Sequence, residues 1–177
     1  MNPAAHIRTG RLILRPVAAP DLLDLIALKA DPRAFSFILG GVRTSGQTMR
    51  ELADDIAFWG ARGYGMWVIR DLRENSFVGI VGLMERVDGR GIALRFALRP
   101  GASGHGYARE AAGAALRFAH ENAELPRVVA VARESNIASR EVLGAIGMRQ
   151  VDAFDRDGHR MLVYESVRRP PTRGRRS

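Results

Sequence analysis

The stretch SGHGYAREAA, residues 103–112, decides how the rest of the chain is interpreted. Gly104 and Gly106 fall in a short turn, and alanine-rich sequence follows directly. The first backbone N–H groups of a helix have no intrahelical partner and carry the positive end of the helix dipole. A glycine-lined turn before such a helix can therefore bind a phosphate without a charged side chain. Glycine spacing alone leaves open whether this turn binds an anion or only reverses the chain.

Extended and helical patterns alternate on both sides of this turn. Before it, residues 65–71, 77–84 and 92–98 are separated by turn-rich sequence with an Asp-Gly signal, which predicts three consecutive antiparallel strands. After it, small apolar residues recur at helical spacing, namely Ala108, Ala111, Ala112, Ala115, Leu116 and Ala119. Their size predicts a helix that packs closely on the sheet.

The C-terminal third predicts a strand, a helix and a hairpin. The apolar run at residues 127–132 indicates a buried strand. A helix is expected to begin at Asn136 and to end before Gly147, because these residue types favour the two ends of a helix. Two further extended segments flank an Asp-Gly turn and predict a final hairpin at residues 148–167.

The N-terminal third predicts a strand and two helices. Residues 11–17 indicate a strand, and a helix is expected from Pro20 until Pro32 stops it. In the second helix, Thr48 and Glu51 have the spacing of a capping box. The apolar stripe that we expect this helix to bury consists of Met49, Leu52, Ile56 and Trp59.

These elements follow the order strand, two helices, three strands, helix, strand, helix, two strands. The order predicts an α/β (α+β) fold with a mixed, mainly antiparallel central sheet of about seven strands, flanked by about four helices. A chain of 177 residues is about one domain long. We therefore expect residues 1–167 to form a single domain.

Composition argues against several classes of protein. Without cysteine the chain has no disulfide and no thiolate, and its four histidines show no ligand spacing, so we expect no metal site. No run approaches the ~18 to 20 apolar residues of a membrane span, and the start lacks the apolar core of a signal peptide. We expect a cytoplasmic protein that does not associate with membranes.

The net charge of +8 invites a nucleic-acid interpretation. Residues 168–177 contain five arginines and no acid, so the rest of the chain carries only +3. We interpret this Pro- and Arg-rich tail as a solvated extension in preference to a nucleic-acid arm. A nucleic-acid-associated protein that acts through the tail is the weaker alternative.

Two nucleotide-binding patterns with glycine-rich turns do not match this sequence. The turn at residues 103–106 is not followed by the Gly-Lys-Ser/Thr of an ATP-binding P-loop. It also follows the fourth predicted strand in an antiparallel setting, whereas a Rossmann turn follows a first parallel strand. Neither ATP hydrolysis nor dinucleotide binding is therefore expected.

Several short motifs share the order and spacing of one enzyme family. They are TGRLILRP (9–16), GYGMW (63–67), FVGIVGL (77–83), GHGYAREA (104–111) and NIASR (136–140), followed by Leu143, Gly147 and Met148. The chain resembles the GNAT superfamily of N-acetyltransferases over about residues 8–167. Within it, the chain resembles the branch of the ribosomal-protein-alanine N-acetyltransferases. The resemblance implies acetyl-CoA as cosubstrate and transfer of its acetyl group to a primary amine.

The resemblance assigns the acetyl-CoA site to the opening turn and its surroundings. It implies that the pyrophosphate binds backbone N–H groups from about residue 103 to 108, and that the pantetheine arm follows the strand ending at residues 97–99. This suits the glycines, which let phosphates approach the main chain. The implied cofactor-binding residues are Ala97, Leu98, Arg99, Ser103, Gly104, His105, Gly106, Tyr107, Ala108, Arg109, Asn136, Ser139 and Arg140.

Four of these side chains have two interpretations each. Asn136 is a helix N-cap by frequency, and the family adds hydrogen bonds to the pantetheine amides. By resemblance, Ser139 is a candidate general acid that protonates the CoA sulfur; otherwise its hydroxyl bonds back to its own helix. We favour an exposed spacer over a catalytic group for His105. Arg140 faces either the phosphates or solvent.

The general base is missing from its usual place. In many members of the family it is a glutamate on the strand before the turn, but the aligned residue here is Ala93, and Arg95 replaces a common glycine. Arg95 brings a large cation near the acceptor cleft unless it turns outward. Glu85 and Asp155 are the candidate catalytic carboxylates, each otherwise a solvated turn acid. Alternatively, an amine with a pKa of ~8 needs little help, or the protein is a non-catalytic acetyl-CoA sensor.

The acceptor site is expected to be shaped by residues 35–46 and by the hairpin around residues 154–158. We expect the aromatic and apolar side chains of the first segment to form a small core under the loop in preference to an acceptor mouth; they are Phe35, Phe37 and Ile38. Asp155 and Asp157 of the hairpin favour a cationic acceptor. Arg43 and Arg95 favour an acidic one. A protein N-terminus, a free amino acid, a polyamine and an aminoglycoside all stay open, as does a homodimer.

Overall fold

A computed structural model describes residues 5–170 of the chain. In that range the strands are β1 (Ile7–Arg8), β2 (Leu12–Pro16), β3 (Met66–Asp71), β4 (Phe77–Glu85), β5 (Ile92–Leu98), β6 (Arg127–Arg133), β7 (Arg149–Arg156) and β8 (His159–Val167). The α-helices of the same range are α1 (Leu22–Ala30), α2 (Pro32–Phe35), α3 (Ser45–Arg62), α4 (Tyr107–Glu121) and α5 (Ile137–Ala145).

The strands of residues 5–170 form one sheet in the order β1-β2-β3-β4-β5-β6-β8-β7. β5 and β6 are parallel, and all other neighbouring strands of this sheet are antiparallel. The prediction of a mixed, mainly antiparallel sheet flanked by helices is confirmed. The two elements that the sequence pattern missed, β1 and α2, are only two and four residues long. Such short segments show no periodicity.

Two apolar cores lie on opposite faces of the sheet. Successive strand residues point to opposite faces, and accordingly Trp67 belongs to one core and Val68 to the other. The first core is covered by α4, whose buried side chains are Ala111, Ala112, Ala114, Ala115, Leu116, Phe118 and Ala119. The second core contains residues of α1 to α3, among them Leu25, Leu28, Phe35 and Leu52. The predicted close packing of the alanine-rich helix on the sheet is confirmed.

The predicted start of α3 is wrong by one turn. The N-cap is Thr44, whose hydroxyl accepts from the Gln47 N–H at 3.2 Å while the Gln47 side chain accepts from the Thr44 N–H at 2.8 Å. Thr48 lies inside the helix and is fully buried. The expected apolar stripe is also partly wrong, because Met49 and Ile56 are exposed. The segment contains two Thr-x-x-Gln/Glu sequences, and only tertiary packing selects between them.

Among residues 5–170, none of the helices combines the length and the hydropathy that a bilayer crossing requires. Most of the Arg-rich tail, residues 171–177, lies outside the described residues. The solvated state of the tail and the single domain over residues 1–167 therefore stay predictions.

Candidate active site

A cavity opens where the parallel strands β5 and β6 separate. Within the described sheet these strands pair at one register position, Ala93 with Val129, whereas β4 and β5 pair at seven. Residues of both strands line a cavity of about 860 Å³. The loss of pairing between two central strands thus creates a cleft in the middle of the sheet.

This cavity brings together most of the residues that the sequence singled out. Those that line it are Glu85, Ala97, Leu98, Ser103, Gly104, Gly106, Tyr107, Ala108, Arg109, Asn136 and Ser139. The cavity is also lined by the loop after α2 and by the tip of the β7–β8 hairpin. The remaining predicted residues are not part of its lining; they are Arg99, His105, Arg140 and Asp155.

The glycine-rich turn presents backbone donors to the cavity. Gly104 and Gly106 have φ angles of 81° and 77°, in the left-handed region that favours glycine. α4 begins at Tyr107, and its N-cap Gly106 supplies no side-chain hydrogen bond. The first N–H groups of α4 are therefore available to an anionic ligand.

Glu110 ties this turn to the N-terminal strands. One carboxylate oxygen accepts from the Thr9 hydroxyl at 2.6 Å and the Arg11 N–H at 2.8 Å, and the other accepts from Arg11 Nε at 2.7 Å. Arg11 also donates to the His105 carbonyl at 2.8 Å and lies 4.7 Å from the centre of the Tyr107 ring. Burial acts to raise the pKa of Glu110, but the hydrogen bonds from Thr9 and Arg11 outweigh it and lower that pKa. The cluster fixes the turn on the sheet.

Asn136 and Ser139 form a hydrogen-bonded pair at the start of α5. Asn136 Oδ1 accepts from the Ser139 N–H at 3.2 Å, which confirms the predicted N-cap. Asn136 Nδ2 donates to Ser139 Oγ at 3.0 Å. Because the serine oxygen accepts this bond, its own proton points away from Asn136. Both side chains line the cavity, so this proton can be directed to a ligand there.

Two of the predicted cofactor arginines bond to the protein itself. Arg99 Nε donates to the Phe77 carbonyl at 2.7 Å, and Arg140 Nη1 donates to the Glu134 carbonyl at 2.8 Å. The His105 side chain is exposed, as the spacer interpretation expects. These three side chains lie outside the cavity lining.

The two candidate carboxylates occupy different positions. Glu85 lines the cavity and forms an ion pair of 3.0 Å with Arg62. Asp155 is largely exposed, lies outside the cavity lining and is 3.6 Å from Arg160. No group of three or more His, Cys, Asp or Glu side chains within residues 5–170 is arranged to hold a metal ion.

Two charged side chains on the α3 side of the sheet, Arg95 and Asp55, attract each other without a hydrogen bond or ion pair among the described residues. Arg95 lines the cavity, so its side chain lies at the cleft and does not turn outward. Asp55 lies on the face of α3 that also carries Leu52 and Trp59, and burial raises its pKa to about 6, against the attraction of Lys29 and Arg95. Sequence reasoning missed Asp55. Its signal is the helical spacing of residues 52, 55 and 59, which places an acid on the core-facing side.

The loop after α2, residues 36–43, is named the acceptor loop for the role that the sequence predicts for it. Phe35, just before it, is fully buried in the second core, which confirms the core interpretation for this residue. Phe37 and Ile38 instead line the cavity. Apolar surface is thus presented to the cavity beside the charged side chain of Arg95.

An ion network anchors the acceptor loop. Arg43 donates to the carbonyls of Gly41 and Leu39 and to Glu51. Glu51 also accepts from the buried Lys29 at 2.6 Å. Burial acts to raise the pKa of Glu51, but the hydrogen bonds from Lys29 and Arg43 outweigh it and lower that pKa. The loop is held to α1 and α3 by charge as well as by packing.

The matches to known proteins agree with this geometry. The family described as Acetyltransferase (GNAT) domain matches residues 11–149, most of the chain. This chain belongs to the GNAT acetyltransferase family. An acetyltransferase structure from Agrobacterium tumefaciens is 30% identical to this GNAT protein, covers 92% of it and 94% of its own chain, and superposes with a TM-score of 0.81. The uncharacterized protein YkkB of Bacillus subtilis is 29% identical and covers 93% of this chain and 97% of its own length.

Two ligand-bound GNAT structures share the fold at lower identity. The ribosomal L7/L12 α-N-protein acetyltransferase RimL in complex with coenzyme A is 18% identical, with a TM-score of 0.76 over 92% of this chain and 98% of its own. Spermidine N-acetyltransferase from Vibrio cholerae, with CoA and spermine, is 17% identical, with a TM-score of 0.76 over 90% of this chain and 97% of its own. These likenesses show the fold alone. The family resemblance seen in the sequence is confirmed, and this GNAT protein is an N-acetyltransferase.

Proposed function

We propose that this GNAT acetyltransferase moves the acetyl group of acetyl-CoA to a primary amine by direct attack within a ternary complex. The observation that carries the proposal is the shared cavity. The glycine-rich turn, the Asn136–Ser139 pair and the acceptor loop all line it. Donor and acceptor can therefore meet without a covalent enzyme intermediate, and their positioning supplies much of the rate.

The donor half of the cavity suits acetyl-CoA. The pyrophosphate binds N–H groups of residues 104–108, where two left-handed glycines and the start of α4 direct backbone donors at an anion. The Ser103 N–H is not among them, because it donates to the Pro100 carbonyl at 3.3 Å. The pantetheine arm follows Ala97 and Leu98 of β5, and its amides bond to Asn136. CoA bound to the same fold in RimL and in the spermidine acetyltransferase supports this assignment.

The reaction requires one proton donor and one proton acceptor. The amine nitrogen attacks the thioester carbonyl carbon, the C–N bond forms, and the C–S bond breaks with its electron pair on sulfur. Ser139 donates its hydroxyl proton to that thiolate and regains a proton from solvent. The amine loses its proton to Glu85, directly or through water, because Glu85 lines the cavity and Asp155 does not. An α-amino group with a pKa of ~8 depends little on this base, because a usable fraction of it is already unprotonated near neutral pH.

Thermal unfolding with acetyl-CoA and CoA tests the donor site. We expect both ligands to raise the unfolding midpoint of the wild type, and the Gly106→Glu variant to lose this shift because its carboxylate repels the pyrophosphate. Gly106→Ala is the matched control, since it introduces the same backbone strain at φ 77° without the charge. A wild type that neither ligand stabilises at millimolar concentration contradicts the proposal.

A non-catalytic acetyl-CoA sensor is the second candidate. Ala93, at the position where the family commonly has its base, presents only a buried methyl group. The sensor predicts the same thermal shift with no CoA release on any amine of a broad panel. The cytoplasmic location and the homodimer stay predictions from the sequence.

A further inference from the structure

Arg95 is a large cation in the cavity wall, and its same-face neighbours along β5 and its register partner on β4 are small. Side chains two residues apart on a strand share a face, so Arg95 shares its face with Ala93 and Ala97, and its register partner on β4 is Gly82. All three neighbours are small. The guanidinium therefore dominates the chemistry of this part of the wall.

The Arg95 guanidinium has no hydrogen-bonding or ion-pair partner within residues 5–170. Arg33 and Arg86, which also line the cavity, pair with Asp31 at 2.8 Å and with Asp88 at 2.6 Å. Arg109, Arg133 and Arg156 line it without such a partner among the described residues, but Arg109 is exposed, and Arg133 and Arg156 lie over the rings of Phe37 and Phe154. A half-buried cation without a partner is costly, because the protein does not replace the hydration that it loses. An anionic ligand group would supply that partner.

The nearby carboxylates do not serve as that partner. Glu51 is engaged by Lys29 and Arg43. Asp55 is close enough to attract Arg95 but makes no hydrogen bond to it among the described residues. Burial and the repulsion of Arg43 lower the pKa of Arg95, although an arginine stays charged at neutral pH. Burial thus acts against the charge of a side chain that has no counter-ion among the described residues.

Arg95 belongs to the acceptor half of the cavity. It precedes the end of β5 by three residues, which is about 10 Å, and the phosphate-binding turn lies beyond that end. It also lies on the sheet face of the second core, where Ala97 packs with residues of α1 to α3. The acceptor loop lines the same cavity. A group bound by Arg95 therefore comes from the acceptor and not from the phosphates of CoA.

We propose that Arg95 binds a carboxylate of the acceptor, which makes the substrate a small amine with its own carboxylate, of the amino acid class. The inference rests on the proposed acetyl transfer and adds the acceptor to it. The planar guanidinium binds a carboxylate through two parallel hydrogen bonds. One small molecule then places its carboxylate on Arg95 and its amine at the thioester. Polyamines are disfavoured, since they would bring a second cation to Arg95.

Steady-state CoA release with paired acceptors tests the inference. The panel holds amino acids, the corresponding amino acid amides, spermidine, phosphoethanolamine and short peptides. We expect the wild type to prefer an amino acid over its amide by about 10- to 100-fold in kcat/KM. This ratio corresponds to the free energy that a hydrogen bond to a charged group contributes. In Arg95→Gln this preference is expected to fall to about one through a higher KM for amino acids, while the KM for acetyl-CoA stays the same.

Two further variants make the result interpretable. Arg95→Lys keeps the charge but loses the paired geometry, so it should retain part of the preference. Arg50→Gln removes an exposed arginine of α3 and should behave as the wild type. Three results overturn the inference while acetyl transfer stands. The wild type uses amides or spermidine as well as amino acids, it prefers phosphoethanolamine or peptides, or the preference for amino acids is unchanged in Arg95→Gln. No turnover with any amine overturns both the inference and the proposed transfer.

Discussion

Single charged residues around the site differ in how fully they are paired. Glu51 has two cationic partners, whereas Asp55 and Arg95 have no hydrogen-bonding partner among residues 5–170. Both side chains are half-buried, Asp55 on α3 and Arg95 on β5. Residues held in this way are sensitive to pH and to ligands.

Asp55 is expected to make the protein less stable as the pH rises through the range of about 4 to 6. Its pKa is raised by burial from 3.8 to about 6, so in this range the unfolded chain ionises while the folded one keeps its proton. Asp55→Asn removes the ionisable group. Its free energy of unfolding should therefore rise by about 1 kcal/mol relative to that of the wild type between pH 4 and pH 7, after allowance for solvent screening. Denaturant unfolding at both pH values measures this. Asp54→Asn, at an exposed position, is the control, and an equal gain in both variants would contradict the prediction.

Ser139 is expected to affect the chemical step more than binding. Loss of a general acid costs about 100-fold or more in kcat, so Ser139→Ala should lower kcat while the KM for acetyl-CoA changes little. The control is Ser135→Ala, since Ser135 is exposed and lies outside the cavity lining. Pre-steady-state CoA release measures the step directly, and an unchanged rate in Ser139→Ala would remove the serine from the mechanism.

At the scale of elements, each functional segment lies at the end of a helix. The glycine-rich turn precedes α4, the Asn136–Ser139 pair begins α5, and the acceptor loop leads into α3. The helix starts therefore carry the chemistry, while the strands provide a rigid frame. The exact residue at which a helix begins matters for this reason.

The start of α3 gives a stability prediction with two matched threonines. Thr44→Ala removes the N-cap hydrogen bond to Gln47 and should destabilise the protein by about 1 kcal/mol. Thr48→Val replaces a buried hydroxyl that has no hydrogen-bonding partner within residues 5–170, and it should be neutral or stabilising. Chemical denaturation of both variants measures this, and the opposite order would place the helix start at Thr48.

The elements that were predictable from the sequence are those with long, regular periodicity. The alanine stripe of α4 and the alternating strands were located correctly, because their residues interact with near neighbours in the chain. The capping box of α3 was misplaced, because residues 44–47 and 48–51 satisfy the same local rule. The turn and the Asn136–Ser139 pair, which line the cavity, were predicted as site residues from local residue types and from the family resemblance, and their role stays a prediction. Asp55 was missed because its partial burial depends on packing against the sheet.

At the scale of the whole molecule, one sheet divides the protein into two cores and opens between β5 and β6. This opening places residues from both halves of the chain in one cavity. The basic tail follows β8 and takes no part in that cavity's lining within the described residues. Function and tail are therefore expected to be separable.

Deletion of residues 171–177 is expected to leave acetyl-CoA stabilisation and turnover unchanged. The deleted segment holds three arginines, so a nucleic-acid role predicts instead a large loss of affinity for DNA or RNA and a weaker salt dependence. Fluorescence anisotropy with labelled oligonucleotides at two salt concentrations compares the two proteins. A steep salt dependence that disappears on deletion would support the nucleic-acid interpretation.

The sequence by itself determined the order of elements, the glycine-rich turn before α4 and the family, because periodicity, glycine conformation and motif spacing are properties of contiguous residues. The tertiary structure alone decided that Glu85 and not Asp155 lines the cavity, that Arg95 faces it without a partner among residues 5–170, and that Asp55 is half-buried nearby. These facts depend on the distance between residues far apart in the chain. The separation of β5 from β6 sets that distance, and it follows from packing on both faces of the sheet.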